Sequence, residues 1–105
     1  MTKIEVIMFR NERSLEEQQR WWLEEHAPLG KKMPGLRSYT INLAGLGPAG
    51  EEPEICGTAV LLFDSPEAAA AAFASDEGKA AGANTRASGS RGARTWIARE
   101  VAVLA

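Results

Sequence analysis

The chain has 105 residues, with 45% apolar and 25% charged side chains and a formal net charge of −2, values that suit one globular domain spanning residues 1–105 and exclude a disordered or fibrous chain. Its 12 bases are interspersed with 14 acids, which excludes the basic patch a nucleic acid needs, and the longest strongly apolar stretch, Ala59 to Phe63, is far short of the roughly 20 residues that cross a membrane. Glu5 and Arg10 interrupt the first apolar run, which speaks against a signal peptide, and the single cysteine, Cys56, allows no intrachain disulfide; both features suit the cytoplasm.

Lys3 to Phe9 alternates as a strand, with Ile4, Val6 and Met8 on one face and Glu5, Ile7 and Phe9 on the other. Ser14 and Glu17 then stand at capping-box spacing and start a helix. Along it Leu15, Trp22, His26, Leu29 and Met33 share one stripe, but Pro28 lacks an N–H and crowds the preceding turn, so a kink or restart is expected near His26. Pro34-Gly35 closes the segment. Leu36 to Leu43 reads as a second strand with Tyr39, Ile41 and Leu43 on one face. The stretch from Ala44 to Cys56, rich in Gly, Pro and Glu, reads as a long hairpin connection, and Gly57 to Phe63 as a third strand.

Asp64-Ser65-Pro66-Glu67 carries a cap, a first-turn proline and an early acid, and starts a second helix that runs through five alanines to Phe73. Ser75-Asp76-Glu77 caps one more short helical piece, followed by a Gly- and Ser-rich loop from Gly82 to Ala93 and a last strand from Thr95 to Leu104. The order βαββαβ is that of an α+β, ferredoxin-like fold with a four-stranded antiparallel sheet. Two helices cover only one side of such a sheet, and apolar residues fall on both sides here, so a second copy of the chain is the expected cover: a homodimer.

Few residues carry chemistry. Gly45-Leu46-Gly47-Pro48-Ala49-Gly50 spells a dinucleotide fingerprint, but Glu51, Glu52 and Glu54 follow where a helix N-terminus should meet phosphate, so it reads as a hairpin loop. His26 is the only histidine, so no histidine cluster can hold a metal, and no cofactor motif is present; haem, which needs one ligand, finds no support. An imidazole there is either a structural hydrogen-bonding group or a general acid/base that titrates near neutrality. Tyr39, on the strand after the Pro34-Gly35 turn, either packs or offers its hydroxyl to a carbonyl or enolate oxygen in a pocket shared with His26. Trp21, Trp22 and Trp96 suit packing more than ligand stacking. Glu5, Arg99 and Glu100 suggest a cross-strand ion pair or a wet pocket. Cys56 has no neighbouring base and is a poor nucleophile.

The strings Trp21-Trp22-Leu23-Glu24-Glu25-His26-Ala27-Pro28-Leu29 and Met33-Pro34-Gly35-Leu36-Arg37-Ser38-Tyr39 resemble the signature of the EthD family. Phe63-Asp64-Ser65-Pro66-Glu67-Ala68 leading to Phe73-Ala74-Ser75-Asp76-Glu77-Gly78 resembles that family's third-strand exit, second helix and following short helix. The resemblance implies a dimeric α/β barrel, in which two ferredoxin-like subunits pack sheet to sheet and each encloses a small-molecule cavity. Members of the family include a protein of ethyl tert-butyl ether degradation, methylmuconolactone isomerases and fungal dehydratases of aromatic polyketides. In the isomerases a histidine at the H-x-P position and a tyrosine on the next strand are implicated in catalysis, and these match His26 and Tyr39.

The resulting expectation is a cofactor-independent isomerase, lyase or cyclase acting on a lactone or aromatic carbonyl compound, in a degradation or secondary-metabolite pathway. His26 moves the proton, Tyr39 holds the substrate oxygen, and Phe9, Trp22, Ile41 and Phe63 form an apolar wall. Two other readings stand beside it: an accessory protein that binds a small organic molecule without transforming it, and a redox protein like the monooxygenases and reductase-like proteins of this barrel.

Overall fold

Residues 1–89 and 91–104 are described by the computed structural model. The first strand, β1 (Thr2–Phe9), occupies an inner position of a sheet ordered β2-β3-β1-β4, with β2 spanning Ser38–Leu43, β3 Ile55–Phe63 and β4 Ala93–Ala98. All neighbours are antiparallel, so the fold is ferredoxin-like, as the element order predicts. Helical segments follow β1 and β3: α1 (Leu15–Trp21), a π-helical turn over Trp22–His26, α2 (Ala27–Gly30), α3 (Pro66–Ala74) and α4 (Asp76–Ser88).

The helices cover the sheet face that carries Ile4, Met8, Ala59, Leu61 and Phe63, all buried. Two apolar clusters form there: Ile4, Met33, Leu61 and Phe63 with Ala69 and Ala72 of α3, and Met8, Trp21, Trp22, Cys56 and Ala59 under α1. Val6 and Tyr39 pack against both. The alanine run of α3 puts a small-residue face on the sheet, where Ala72 is wholly buried. The other sheet face carries Glu5, Ile7, Asn42, Thr58, Val60 and Trp96 around a shallow depression, and Trp96 there donates to the Glu5 carboxylate at 3.1 Å.

Local chemistry explains the boundaries. Ser14 accepts from the Glu17 N–H at 3.1 Å while Glu17 reaches back to the Ser14 backbone, completing the expected capping box. Ser65 caps α3 and Ser75 caps α4 by the same device, accepting from Ala68 and Gly78. The disturbance expected from Pro28 takes the form of the π-turn: Pro28 has no N–H for the Glu24 carbonyl, and the ladder widens so that Ala27 N–H bonds the Trp22 carbonyl instead.

Two expectations need correction. The Gly82 to Ala93 stretch is not all loop, because α4 continues to Ser88. Its polar residues are poor helix formers by propensity, and bonds to other elements hold the segment: Asn84 Oδ1 with His26 Nδ1 and Asn11 Nδ2 with the Ser88 carbonyl, each at 2.8 Å. The last strand ends at Ala98 rather than Leu104. Ala98 pairs with Lys3, so β1 has too little chain left to pair with 101–104, where Val101, Val103 and Leu104 are exposed. Of the unusual strand charges, Glu100 forms an ion pair with Lys3 at 2.6 Å.

Candidate functional site

A cavity of about 590 Å³ lies between the sheet and the helices, with Val6 and Met8, Tyr39, Ala59 and Leu61, and Ala93 and Thr95 contributed by the four strands. Trp22, His26, Gly30 and Met33 close one side, and the α4 face of Gly78, Ala81, Gly82, Thr85 and Arg86 closes the other. The volume suits a molecule of one or two rings.

The π-turn decides how the aromatic residues meet this space. In a regular α-helix, residues five apart diverge by about 140° around the axis, whereas a turn closed by an i to i+5 bond brings them into line. Trp21 and His26 are five apart and stack, with ring centroids 5.1 Å apart and planes 21° from parallel. Trp22, the next residue, has its indole N–H 3.4 Å from the Tyr39 hydroxyl. Two glycines make the room: a Cβ on Gly30 would sit 2.9 Å from Tyr39 Cε2, and one on Gly57 would sit 3.0 Å from Trp22 Cζ3 and closer still to the Asn42 carbonyl.

His26 is buried, at 9% exposure, and both ring nitrogens have neighbours on α4. Asn84 Oδ1 lies 2.8 Å from Nδ1; an amide oxygen only accepts, so Nδ1 carries the hydrogen of the neutral ring and Nε2 carries the lone pair. The Thr85 hydroxyl is 3.3 Å from Nε2 and 3.2 Å from the Ala81 carbonyl, so its one hydrogen serves either acceptor, and a rotation of the hydroxyl releases Nε2. Burial pushes the imidazole below its ordinary 6.5, and the Asn84 bond offsets part of that shift. At neutral pH the ring is therefore an uncharged base. Burial pushes the Tyr39 phenol above its ordinary 10.0, against the bond from Trp22, so the hydroxyl keeps its proton and can donate it in a hydrogen bond. An uncharged imidazole and a neutral phenol in the wall of one cavity can shift a proton along a carbonyl compound.

The fate of each residue predicted from sequence is plain. His26, Tyr39 and Trp22 line the cavity together. Phe9, Ile41 and Phe63 do not: Phe63 is wholly buried in the first cluster beside the Phe73 ring, Ile41 packs against the second, and Phe9 ends β1 with the Arg91 guanidinium 4.8 Å above its ring. Cys56 is buried, and burial pushes its thiol up to about 11, the opposite of what a nucleophile needs. The sequence reading missed Asn84, Thr85, Arg86 and Arg91. The helical spacing of Gly78, Ala81, Gly82 and Thr85 was the available signal for the α4 wall. Among the described residues no group of three or more His, Cys, Asp or Glu is placed to hold a metal ion, and no helix is long and apolar enough to cross a membrane.

Comparison with known proteins adds the following. Residues 10–86 match the family model of the EthD domain. An ethyl tert-butyl ether D (EthD) family protein from Bacillus halodurans C-125 is 24% identical over 96% of this chain and 100% of its own, with a TM-score of 0.82. A dimeric ferredoxin-like protein of unknown function from Jannaschia sp. CCS1 is 15% identical over 95% and 100%, with a TM-score of 0.63. SnoaB, a cofactor-independent oxygenase from Streptomyces nogalater, is 14% identical over 98% and 96%, with a TM-score of 0.59. At these identities the likeness is one of fold. No curated protein matches the sequence significantly.

Proposed function

Because this chain belongs to the EthD family, we propose that it is a small-molecule enzyme, a cofactor-independent isomerase, lyase or cyclase acting on a lactone or aromatic carbonyl compound. The observation that carries the proposal is the buried His26 in the cavity wall, whose Nδ1–H is committed to Asn84 and whose Nε2 meets only the Thr85 hydroxyl, a group that can turn to the Ala81 carbonyl instead. In the isomerase form, Nε2 takes a proton from the carbon next to a carbonyl, the electron pair moves into an enolate, and the Tyr39 hydroxyl donates a hydrogen bond to the enolate oxygen. The imidazolium then returns the proton to another carbon of the conjugated system, so the enzyme ends as it began. An apolar wall of Val6, Met8, Met33 and Leu61 keeps water from the enolate. The working form is a homodimer of single-domain chains, the second copy covering the face of Glu5, Thr58 and Trp96.

The test is a panel of unsaturated lactones and aromatic ketones assayed with His26→Gln and Tyr39→Phe. Loss of the base should lower kcat about a hundredfold or more, and loss of the phenol by less. Unchanged turnover in His26→Gln rejects the proposal. One observation favours a second reading, a binding protein without turnover: both imidazole nitrogens already have partners on α4. In that case His26→Gln lowers stability and leaves ligand affinity nearly unchanged. A cofactor-independent oxygenation, the chemistry named for SnoaB, would begin with the same deprotonation and is recognised by its requirement for dioxygen.

A further inference from the structure

The cavity rim holds charge of one sign. Arg86, at the end of α4, and Arg91, just before β4, both line it, and among the described residues no Asp or Glu does. Three other arginines meet carboxylates, Arg37 with Asp64 at 2.8 Å, Arg20 with Glu16 at 3.2 Å and Arg10 with Glu52 at 3.7 Å, and Arg13 lies over the Trp21 ring. Among the described residues, neither Arg86 nor Arg91 has a hydrogen bond or ion pair to a carboxylate. Arg91 holds its guanidinium over the Phe9 ring, 4.8 Å from the centroid, a cation–π contact that steadies the group. Arg86 folds back along its helix until Nη1 stands 3.3 Å from where a Cβ of Gly82 would be, and Gly82 is itself part of the wall. The acids of the same helix, Asp76 and Glu77, are at its other end, about 14 Å away along the axis.

A helix C-terminus favours a cation, which is the plain structural reason for Arg86. That reason does not extend to Arg91, on a different segment, or to the absence of any acid from the lining. We infer that the rim is an anion subsite and that the molecule taken into the cavity is an organic acid with an apolar, ring-sized body and one carboxylate. The body lies against Trp22, Met8 and Leu61, and the carboxylate meets the two guanidinium groups. A guanidinium offers a carboxylate two parallel N–H donors, so Arg86 and Arg91 select charge and also orient the guest. Thr85, the residue before Arg86, touches His26 Nε2, so the held carboxylate fixes which part of the guest faces the imidazole. This deepens the proposed function by naming its substrate class, and it rests on the cavity being a small-molecule site.

The test is calorimetric titration of the purified protein with 2-naphthoate and its neutral isostere 2-naphthamide, at low salt and at about pH 8, where the imidazole is uncharged. The wild-type protein should bind the acid about tenfold or more tightly than the amide, with the preference shrinking as salt rises. In the Arg86→Gln/Arg91→Gln double variant the preference should vanish while the amide binds as before, which also shows that the variant is folded. Equal binding of acid and amide by the wild type, or a preference that survives in the double variant, overturns the anion subsite and leaves the proposed function standing. Failure of both probes to bind the wild type overturns the subsite together with the cavity's role as a ligand site.

Discussion

Replacing Asn84 by Leu removes the acceptor for His26 Nδ1–H while keeping the side chain's size. The buried N–H then faces an apolar neighbour, a loss of about 1–3 kcal/mol if the ring cannot adapt. It can adapt in part, because the hydrogen can move to Nε2 and be donated to the Thr85 hydroxyl at 3.3 Å while that hydroxyl donates to the Ala81 carbonyl. The expected cost is therefore near the lower end, about 1 kcal/mol, or a Tm lower by about 4–8 °C in a domain of this size. The decisive signal is the tautomer. His26 is the only histidine, so a single imidazole appears in nitrogen NMR, and it should change from the Nδ1–H to the Nε2–H form. The imidazole pKa should also fall, since the Asn84 bond is what opposes the burial effect.

The pH dependence of stability follows with its sign. Below the ordinary value of 6.5 the unfolded chain binds a proton that the folded chain, with its lowered imidazole pKa, still refuses, so stability falls as pH drops through that window. The loss ends near the folded pKa, which is lower in Asn84→Leu, so the variant should go on losing stability to more acid pH than the wild type. An unchanged tautomer, or a pKa that rises in the variant, refutes the assignment of the Asn84 contact.

Three further outcomes are expected. Gly30→Ala, whose Cβ would sit 2.9 Å from Tyr39 Cε2, should displace the Tyr39 ring and cost about 1–3 kcal/mol in denaturant unfolding; an unaffected midpoint would mean that the ring moves freely. Cys56, wholly buried with its thiol pushed up to about 11, should react with a thiol reagent at pH 8 only as fast as the protein opens, and prompt stoichiometric labelling of the native chain would contradict its placement. Thr58→Arg, in the middle of the uncovered sheet face, should turn a dimer into a folded monomer in analytical ultracentrifugation; a dimer that persists would move the proposed contact elsewhere.

Much of the architecture was legible because its signals are local. The period-two alternation of β1 and β2 assigns Ile4, Met8 and Tyr39 to the covered face, and Ser14, Ser65 and Ser75 each announce a helix by a cap that forms. Pro28 announces a broken helix near His26, though the form of the break, a π-turn that stacks Trp21 on the imidazole, has no local signal. The C-terminal third was misread because its structure depends on distant partners. Asn84, Thr85 and Ser88 favour loops by propensity, and the helix that holds them is tied to distant partners, Asn84 to His26 and the Ser88 carbonyl to Asn11. Residues 99–104 alternate like a strand but have run past the start of β1. The same limit governs the cavity wall, since Phe63 and Ile41 are as apolar as Met8 and Leu61, and hydrophobicity alone does not separate a residue lining a void from one filling it.

The central claim is that the imidazole removes a carbon-bound proton. Incubating an enolisable unsaturated lactone with the protein in deuterium oxide, and following deuterium entry by proton NMR, reads that step even when the lactone is not the natural substrate. Wild-type protein should accelerate exchange at the carbon next to the carbonyl, with a rate that rises with pH and levels off above the lowered imidazole pKa, and His26→Gln should abolish the acceleration. Equal exchange with the two proteins would contradict the account.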